Sequence, residues 1–274
     1  MKLGTVKIQD RTMAARQADD HWIGIEGYSD TGDLLRQQNW RQLAEQASGP
    51  TVGVAEARLE SPISAPGKVI CVGLNYAAHI KEMGRELPEY PTLFAKYAET
   101  LTGPFDPITA VEEDPELDWE GELVVVVGSE AYRVSEEEAA GKIAGYTCAN
   151  DISMRGWQFR TKEWLQGKMW ARSTPVGPVV VTDDEFDYQK ATLRTRVNGK
   201  VMQEHSTGDL VFTPENLISY ISTMIPLNPG DLILTGTPGG VGRARDPQVY
   251  LKPGDRVDVE IEGIGAMSSS IVEP

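Results

Sequence analysis

Residues 123–127 form the most apolar stretch of the chain, an unbroken Leu-Val-Val-Val-Val run closed by Gly128, and such a run suits a strand buried on both faces. Near the C-terminus Val257, Val259 and Ile261 alternate with Asp258, Glu260 and Glu262, the period-two pattern of a strand with one wet face. The two patterns together predict layered sheets. Asn198-Gly199, between the strand-like segments 193–197 and 200–203, predicts a two-residue hairpin, because both turn positions require positive φ. Pro229-Gly230-Asp231 and Pro253-Gly254-Asp255 each precede a β run and read as turns.

Helices are the minority. Thr213 followed by Pro214 predicts an N-cap with proline at the first helical position, and Leu217, Ile218, Ile221 and Met224 share one face before Pro226 ends the element. Before that point, residues 2–8 and 22–28 read as short strands and about 33–46 as one helix, followed by a Ser/Pro-rich connector at 61–66. The expected class is α+β, predominantly β, with a small N-terminal unit over 1–62 and a main unit over 63–274. No long-period repeat or low-complexity tract interrupts it.

Composition narrows the function. A chain of 274 residues can bury a sizeable core, and 40% apolar with 24% charged residues is ordinary globular usage. The net charge of −15 argues against nucleic acid as a partner, because that affinity depends on Lys and Arg neutralising phosphates. The same field repels anionic substrates, so a site for an acid must be locally positive. No apolar run approaches the roughly 18 residues of a membrane helix, and the first residues lack the apolar core of a signal peptide. No membrane partner and a cytoplasmic location are therefore expected. Cys71 and Cys148 each sit among apolar neighbours and read as buried thiols.

The candidate chemistry begins with acids. Glu120 and Glu122 flank Gly121 at the mouth of the 123–127 strand, and alternation puts them on one face. Two such carboxylates repel unless a cation intervenes, although a bare Glu-x-Glu also occurs as a solvated edge. Asp151 ends a second apolar strand, at 143–150, where a helix is expected to begin. If all three converge, oxygen ligands without cysteine or paired histidine select a hard ion, Mg²⁺, Mn²⁺ or Ca²⁺.

Arg155 and Gln158 lie three apart on the segment after Asp151, and Lys168 follows. His21 and His205 read as surface residues. His79 differs, because Glu82 at i+3 can orient its imidazole as a general base, or the pair can be structural. The Gly-rich segment 234–242 can offer N–H groups to an anion but matches no nucleotide-binding motif.

Taken together, Gly73-Leu74-Asn75-Tyr76 with His79, Leu117-Asp118-Trp119-Glu120-Gly121-Glu122-Leu123, Ala149-Asn150-Asp151-Ile152-Ser153, Gly167-Lys168, Pro175-Val176-Gly177-Pro178, Val197-Asn198-Gly199, Pro229-Gly230-Asp231 and Thr235-Gly236-Thr237-Pro238 resemble the fumarylacetoacetate hydrolase family over about residues 66–272. The resemblance implies a mixed β-sandwich roll with a small N-terminal α/β appendage, assembled as a homodimer. It implies a Mg²⁺ or Mn²⁺ ion on Glu120, Glu122 and Asp151, and a base dyad of His79 and Glu82 on a lid over residues 76–91. Lys168 and Gln158 would act at the reacting atoms, with Tyr76, Arg155 and Thr237 binding the substrate. Two departures stand out: members commonly carry Asp where this chain has Gly156, and many carry an acid where it has Ala171.

The expected activity is hydrolysis of a carbon–carbon bond in a 2,4-dioxo acid such as fumarylpyruvate, with His79 activating water. Decarboxylation of oxaloacetate and isomerisation of a 2-hydroxy-diene dicarboxylate are alternatives at the same site. A noncatalytic binding protein on this fold is the reading from another class.

Overall fold

The structure, a computed structural model, describes residues 1–8, 11–82, 84 and 86–274, with the side chains of His79 and Glu82 outside that description. Strands predominate and form mixed sheets, as expected of an α+β, mainly β roll. The largest sheet has twelve strands, and its centre runs Lys2–Ile8, Thr174–Thr182, Ile143–Asn150, Gly121–Val127, Leu232–Leu234, Val69–Gly73, Thr92–Lys96. A second, five-stranded sheet runs Lys200–Ser206, Thr192–Val197, Arg256–Ile261, Gly265–Val272, Ile108–Thr109.

The apolar run explains the layering. Every residue of Gly121–Val127 is buried. Leu123, Val125 and Val127 point into a core shared with Leu193, Val259, Ile261 and Met267 of the second sheet. Val124 and Val126 point the other way, against Leu34, Leu35 and Trp40 of the N-terminal helices. Alternation thus fills both layers from one strand, at roughly 1.5–3 kcal/mol for each fully buried large side chain.

The hairpin forms as read: Val197 pairs with Lys200, and Asn198 and Gly199 take φ of +52° and +79°. Helix Pro214–Met224 starts at Thr213, whose hydroxyl accepts from the Asn216 N–H. Its buried face is Leu217, Ile218 and Ile221; Met224 at the last turn is 60% exposed rather than part of that face.

The N-terminal region differs from expectation in detail. The helix expected over 33–46 is two short ones, Thr31–Leu35 and Trp40–Glu45, because the polar stretch Arg36-Gln37-Gln38-Asn39 has no apolar side to bury. The 22–28 strand is confined to His21–Gly24, and Arg11–Ala18, which lacks clean alternation, is a strand between it and Lys2–Ile8. Through the Lys2–Val181 pairing these strands extend the large sheet. The connector at 61–66 leads from Arg58–Glu60 to Val69–Gly73 within that same sheet. Among the described residues no helix is long and apolar enough to cross a membrane.

Candidate active site

Antiparallel register assembles the acids. Gly121 pairs with Asn150 and Glu122 with Ala149, so one strand begins where its neighbour ends. One step further along the same register, Glu120 lies opposite Asp151, whose N–H donates to the Glu120 carbonyl at 2.8 Å. Glu120, Glu122 and Asp151 are buried and offer oxygens all within 4.8 Å of one another. After Asp151 the chain forms not a helix at once but the short strand Ser153–Met154, paired with Leu117–Asp118, and only then helix Arg155–Gln158.

Cations crowd this cluster. Lys168 Nζ donates to Glu120 Oε2 at 2.7 Å and to Asp151 Oδ2 at 2.8 Å. Arg155 Nη2 lies 2.7 Å from Glu120 Oε1, its Nε donates to Asp118 Oδ2 at 2.8 Å, and its Nη1 donates to Gln158 Oε1 at 2.8 Å. The expected i and i+3 pair is thus in contact. Burial opposes charge on Asp151, but Lys168 and Lys96 outweigh it and hold its pKa below the usual value. Burial likewise opposes charge on Lys168, yet Asp151 and Glu120 raise its pKa, so it remains an ammonium at neutral pH.

Glu122 is the exception. Fully buried, it accepts from the Gly236 N–H at 2.8 Å, but among the described residues no cation lies within ion-pair distance. Burial first, then Asp151 and Glu120, push its pKa well above the usual value. A buried carboxylate with no ion-pair partner among the described residues, beside two more within reach of one point, fits a hard divalent ion. Gly236 is required for this contact: its φ is +97°, and a Cβ there would lie 2.8 Å from the Val72 carbonyl.

A cavity of about 430 Å³ opens beside the cluster, lined by Glu120, Glu122, Arg155, Gln158, Lys168 and Thr237 together with apolar groups such as Phe94 and Trp164. Thr237 accepts from Gln203 Nε2 and donates to the Gly121 carbonyl, which fixes it to the same strand end. Leu74, also in the wall, sits at φ +56°, and the next residue, Asn75, donates from its side chain to the Phe212 and Thr235 carbonyls and accepts from the Phe212 N–H. Tyr76 is elsewhere: it is fully buried in the main core, edge-on to His205, and its hydroxyl has no hydrogen-bond partner among the described residues. His205, read from sequence as a surface residue, is a half-buried residue of strand Lys200–Ser206. The expected dyad of His79 and Glu82 falls on helix Ala77–Glu82, but its side chains lie outside the described residues, as do Met83 and Arg85. Cys71 and Cys148 are buried free thiols.

Sequence reading missed two members of the cluster. Lys96, at the end of an edge strand, reaches Asp151 because the sheet curls: beyond Ala98–Thr100 the chain returns as Leu101–Thr102, parallel to Thr174–Thr182. Asp118, wholly buried, accepts from Arg155 and from the N–H groups of Trp119, Gly242 and Arg243. The departures also find a place. Beside Gly156 lies the Asp114 carboxylate, which accepts from the Trp157 and Glu116 N–H groups, and Ala171 is exposed.

The chain is 41% identical over 234 residues to oxaloacetate tautomerase Fahd2a, mitochondrial, of Rattus norvegicus, a match spanning 85% of this chain and 74% of the relative. A solved fumarylacetoacetate hydrolase from Exiguobacterium antarcticum superposes with TM-score 0.90 at 32% identity, covering 100% of both chains. A 5-carboxymethyl-2-hydroxymuconate delta-isomerase from Mycobacterium smegmatis gives 0.85 at 33% identity, again covering 100% of both chains. The cytoplasmic expectation does not hold, because relatives from Rattus norvegicus, Xenopus laevis, Bos taurus and Homo sapiens are named as mitochondrial. Two buried thiols and an acidic surface suit any reducing compartment, so composition could not discriminate. Residues 68–272 match the family profile for the fumarylacetoacetate (FAA) hydrolase C-terminal region, and the chain belongs to the fumarylacetoacetate hydrolase family.

Proposed function

We propose that this protein catalyses keto–enol proton transfer in a small 2-oxo diacid of the oxaloacetate type, rather than hydrolysis of an acylpyruvate. The observation that carries the reading is Lys168, kept cationic between Glu120 and Asp151 at the wall of a small cavity. A fixed positive charge on a buried side chain favours an enolate oxygen over the neutral ketone. Relatives named as oxaloacetate tautomerases and a structural neighbour named as an isomerase support proton transfer over carbon–carbon hydrolysis.

In the reaction a proton leaves carbon 3 and one is gained by the oxygen on carbon 2, with no water consumed. We assign the proton carrier to His79, whose side chain lies outside the described residues, while Lys168 holds the charge on the oxygen. The side-chain oxygen of Gln158 accepts from Arg155, which leaves its amide N–H groups as the donors available to a substrate oxygen. Glu120, Glu122 and Asp151 would hold Mg²⁺ or Mn²⁺, which when bound supplies positive charge favouring the enolate form.

The test follows enol absorbance of oxaloacetate with Mn²⁺ and after chelation, alongside carbon dioxide release and cleavage of acetylpyruvate and fumarylpyruvate. Tautomerisation should exceed the other activities. Faster acylpyruvate cleavage would restore the hydrolase, and dominant carbon dioxide release would make the protein a decarboxylase.

A further inference from the structure

Arg243, on the turn Gly242–Ala244, lines the same cavity as Glu120, Glu122, Arg155 and Lys168. The last two cations are engaged by buried carboxylates at 2.7–2.8 Å. Arg243 is not. Among the described residues its carboxylate neighbour is Glu116, 3.6 Å from Nη1, with side-chain exposures of 38% and 36%. An exposed pair at that separation contributes little and yields readily to a better anion.

Its position is nevertheless fixed from two sides. The guanidinium carbon lies 3.9 Å from the ring centroid of Phe159, another cavity residue, and although the side chain also hydrogen-bonds the Tyr250 hydroxyl, stacking of this kind keeps the remaining in-plane N–H donors at the edge, where they can meet an anion. On the backbone side, Asp118 accepts from the Gly242 N–H at 2.7 Å and the Arg243 N–H at 3.0 Å. The same carboxylate accepts from Arg155 Nε. One buried acid therefore sets the spacing between an arginine of the acidic cluster and an arginine of the cavity wall.

We propose that Arg243, stacked on Phe159, binds the distal carboxylate of the substrate and selects diacids over monoacids. The inference rests on the reading of the substrate as a 2-oxo diacid. A molecule of net charge −15 repels a dianion more than a monoanion, so preference for the diacid requires a second cation beyond those at the reacting end.

Calorimetry of the full chain with L-malate and with 2-hydroxybutanoate, an inert diacid and its monoacid counterpart, tests this directly. The unmodified protein should bind malate about tenfold or more tightly, and Arg243→Gln should lower the malate-to-monoacid affinity ratio by about tenfold to hundredfold, the range of a lost charged hydrogen bond. Arg243→Lys keeps the charge without the planar fork and should fall between. In turnover, Arg243→Gln should raise KM for oxaloacetate more than it lowers kcat, and should reduce the preference for oxaloacetate over its 4-methyl ester by a similar factor. Equal affinity for the two acids, no measurable malate binding, or an unchanged ratio in Arg243→Gln overturns the assignment. If malate preference is present and lost in Arg243→Gln but no 2-oxo acid is turned over, the diacid site stands and the proposed activity falls.

Discussion

The ammonium of Lys96 donates to Asp151 Oδ1 with neither side chain retaining any solvent exposure, although 55 residues separate them in sequence. Asp151 thus has two lysines, because Lys168 takes its other oxygen. Removing one partner of a buried pair costs roughly 3–5 kcal/mol, and because Lys168 still compensates part of the Asp151 charge the cost here lies toward the lower end of that range. Lys96→Met should therefore destabilise the metal-free protein by about that amount in urea denaturation. Adding Asp151→Asn should cost less than the sum of the two single changes, since the charge that needed Lys96 is then gone. Strict additivity would mean that the contact carries no coupling.

Glu122 gives the opposite sign. Its pKa is raised from 4.5 by burial and by Asp151 and Glu120, so the folded state holds its proton more tightly than the unfolded chain does. The resulting stabilisation is complete below about pH 4.5 and is lost as pH rises through the folded value. Above the ordinary carboxylate range the cost of ionising Glu122 inside the fold works against folding in the absence of a metal. Glu122→Gln should then raise the melting temperature of chelator-treated protein at pH 7.5 by roughly 2–4 °C per kcal/mol recovered, with little change at pH 4. The same variant should lose Mn²⁺ uptake in calorimetry, and uptake by the unmodified protein should release protons. Lower stability of the variant at pH 7.5 would show that Glu122 has a counter-ion already.

Gly73 holds the cavity wall open. A Cβ at that position would lie 2.2 Å from Trp164 Cζ3 and 2.8 Å from its Cη2, so the indole would have to move. Trp164 packs edge-on against Phe94, whose ring centroid is 5.4 Å from Lys168 Nζ. Gly73→Ala should cost about 1–3 kcal/mol by overpacking and lower kcat/KM by displacing that wall. Trp164→Leu in the same background should recover the stability. A Gly73→Ala protein with unchanged stability and turnover would show that the wall yields freely.

What the sequence revealed was what neighbouring residues determine. Asn198-Gly199 needs positive φ, Thr213-Pro214 caps its own helix, and the 123–127 run declares a strand buried on both faces. Glu120, Glu122 and Asp151 were visible because each stands at the end of an apolar strand, but the register that joins them belongs to the sheet. Lys96 left no local mark, as its strand reads like any edge strand until the sheet curls it onto Asp151. Asp118 was equally hidden, with backbone donors 124 and 125 residues away. Tyr76 shows the converse: a residue within a matching motif can lie in the core behind the cavity rather than in its wall.

Gly156 tests whether a carboxylate has changed its place in the chain. Family members commonly carry Asp after the arginine, whereas here Asp114, 3% exposed, stands beside that position and accepts from the Trp157 and Glu116 N–H groups at 2.9 Å. A Cβ at 156 would meet Asp114 Oδ1 at 2.8 Å and Oδ2 at 3.0 Å. Gly156→Ala imposes only that close approach, while Gly156→Asp adds a second negative charge beside a buried acid. Both should destabilise, by roughly 1–3 kcal/mol for the steric part, with Gly156→Asp the worse at neutral pH. The gap should narrow as pH falls through the carboxylate range, because protonation removes the repulsion but not the contact. If Gly156→Asp proves as stable as Gly156→Ala at pH 7.5, the two acids accommodate each other and Asp114 is no substitute for the missing one.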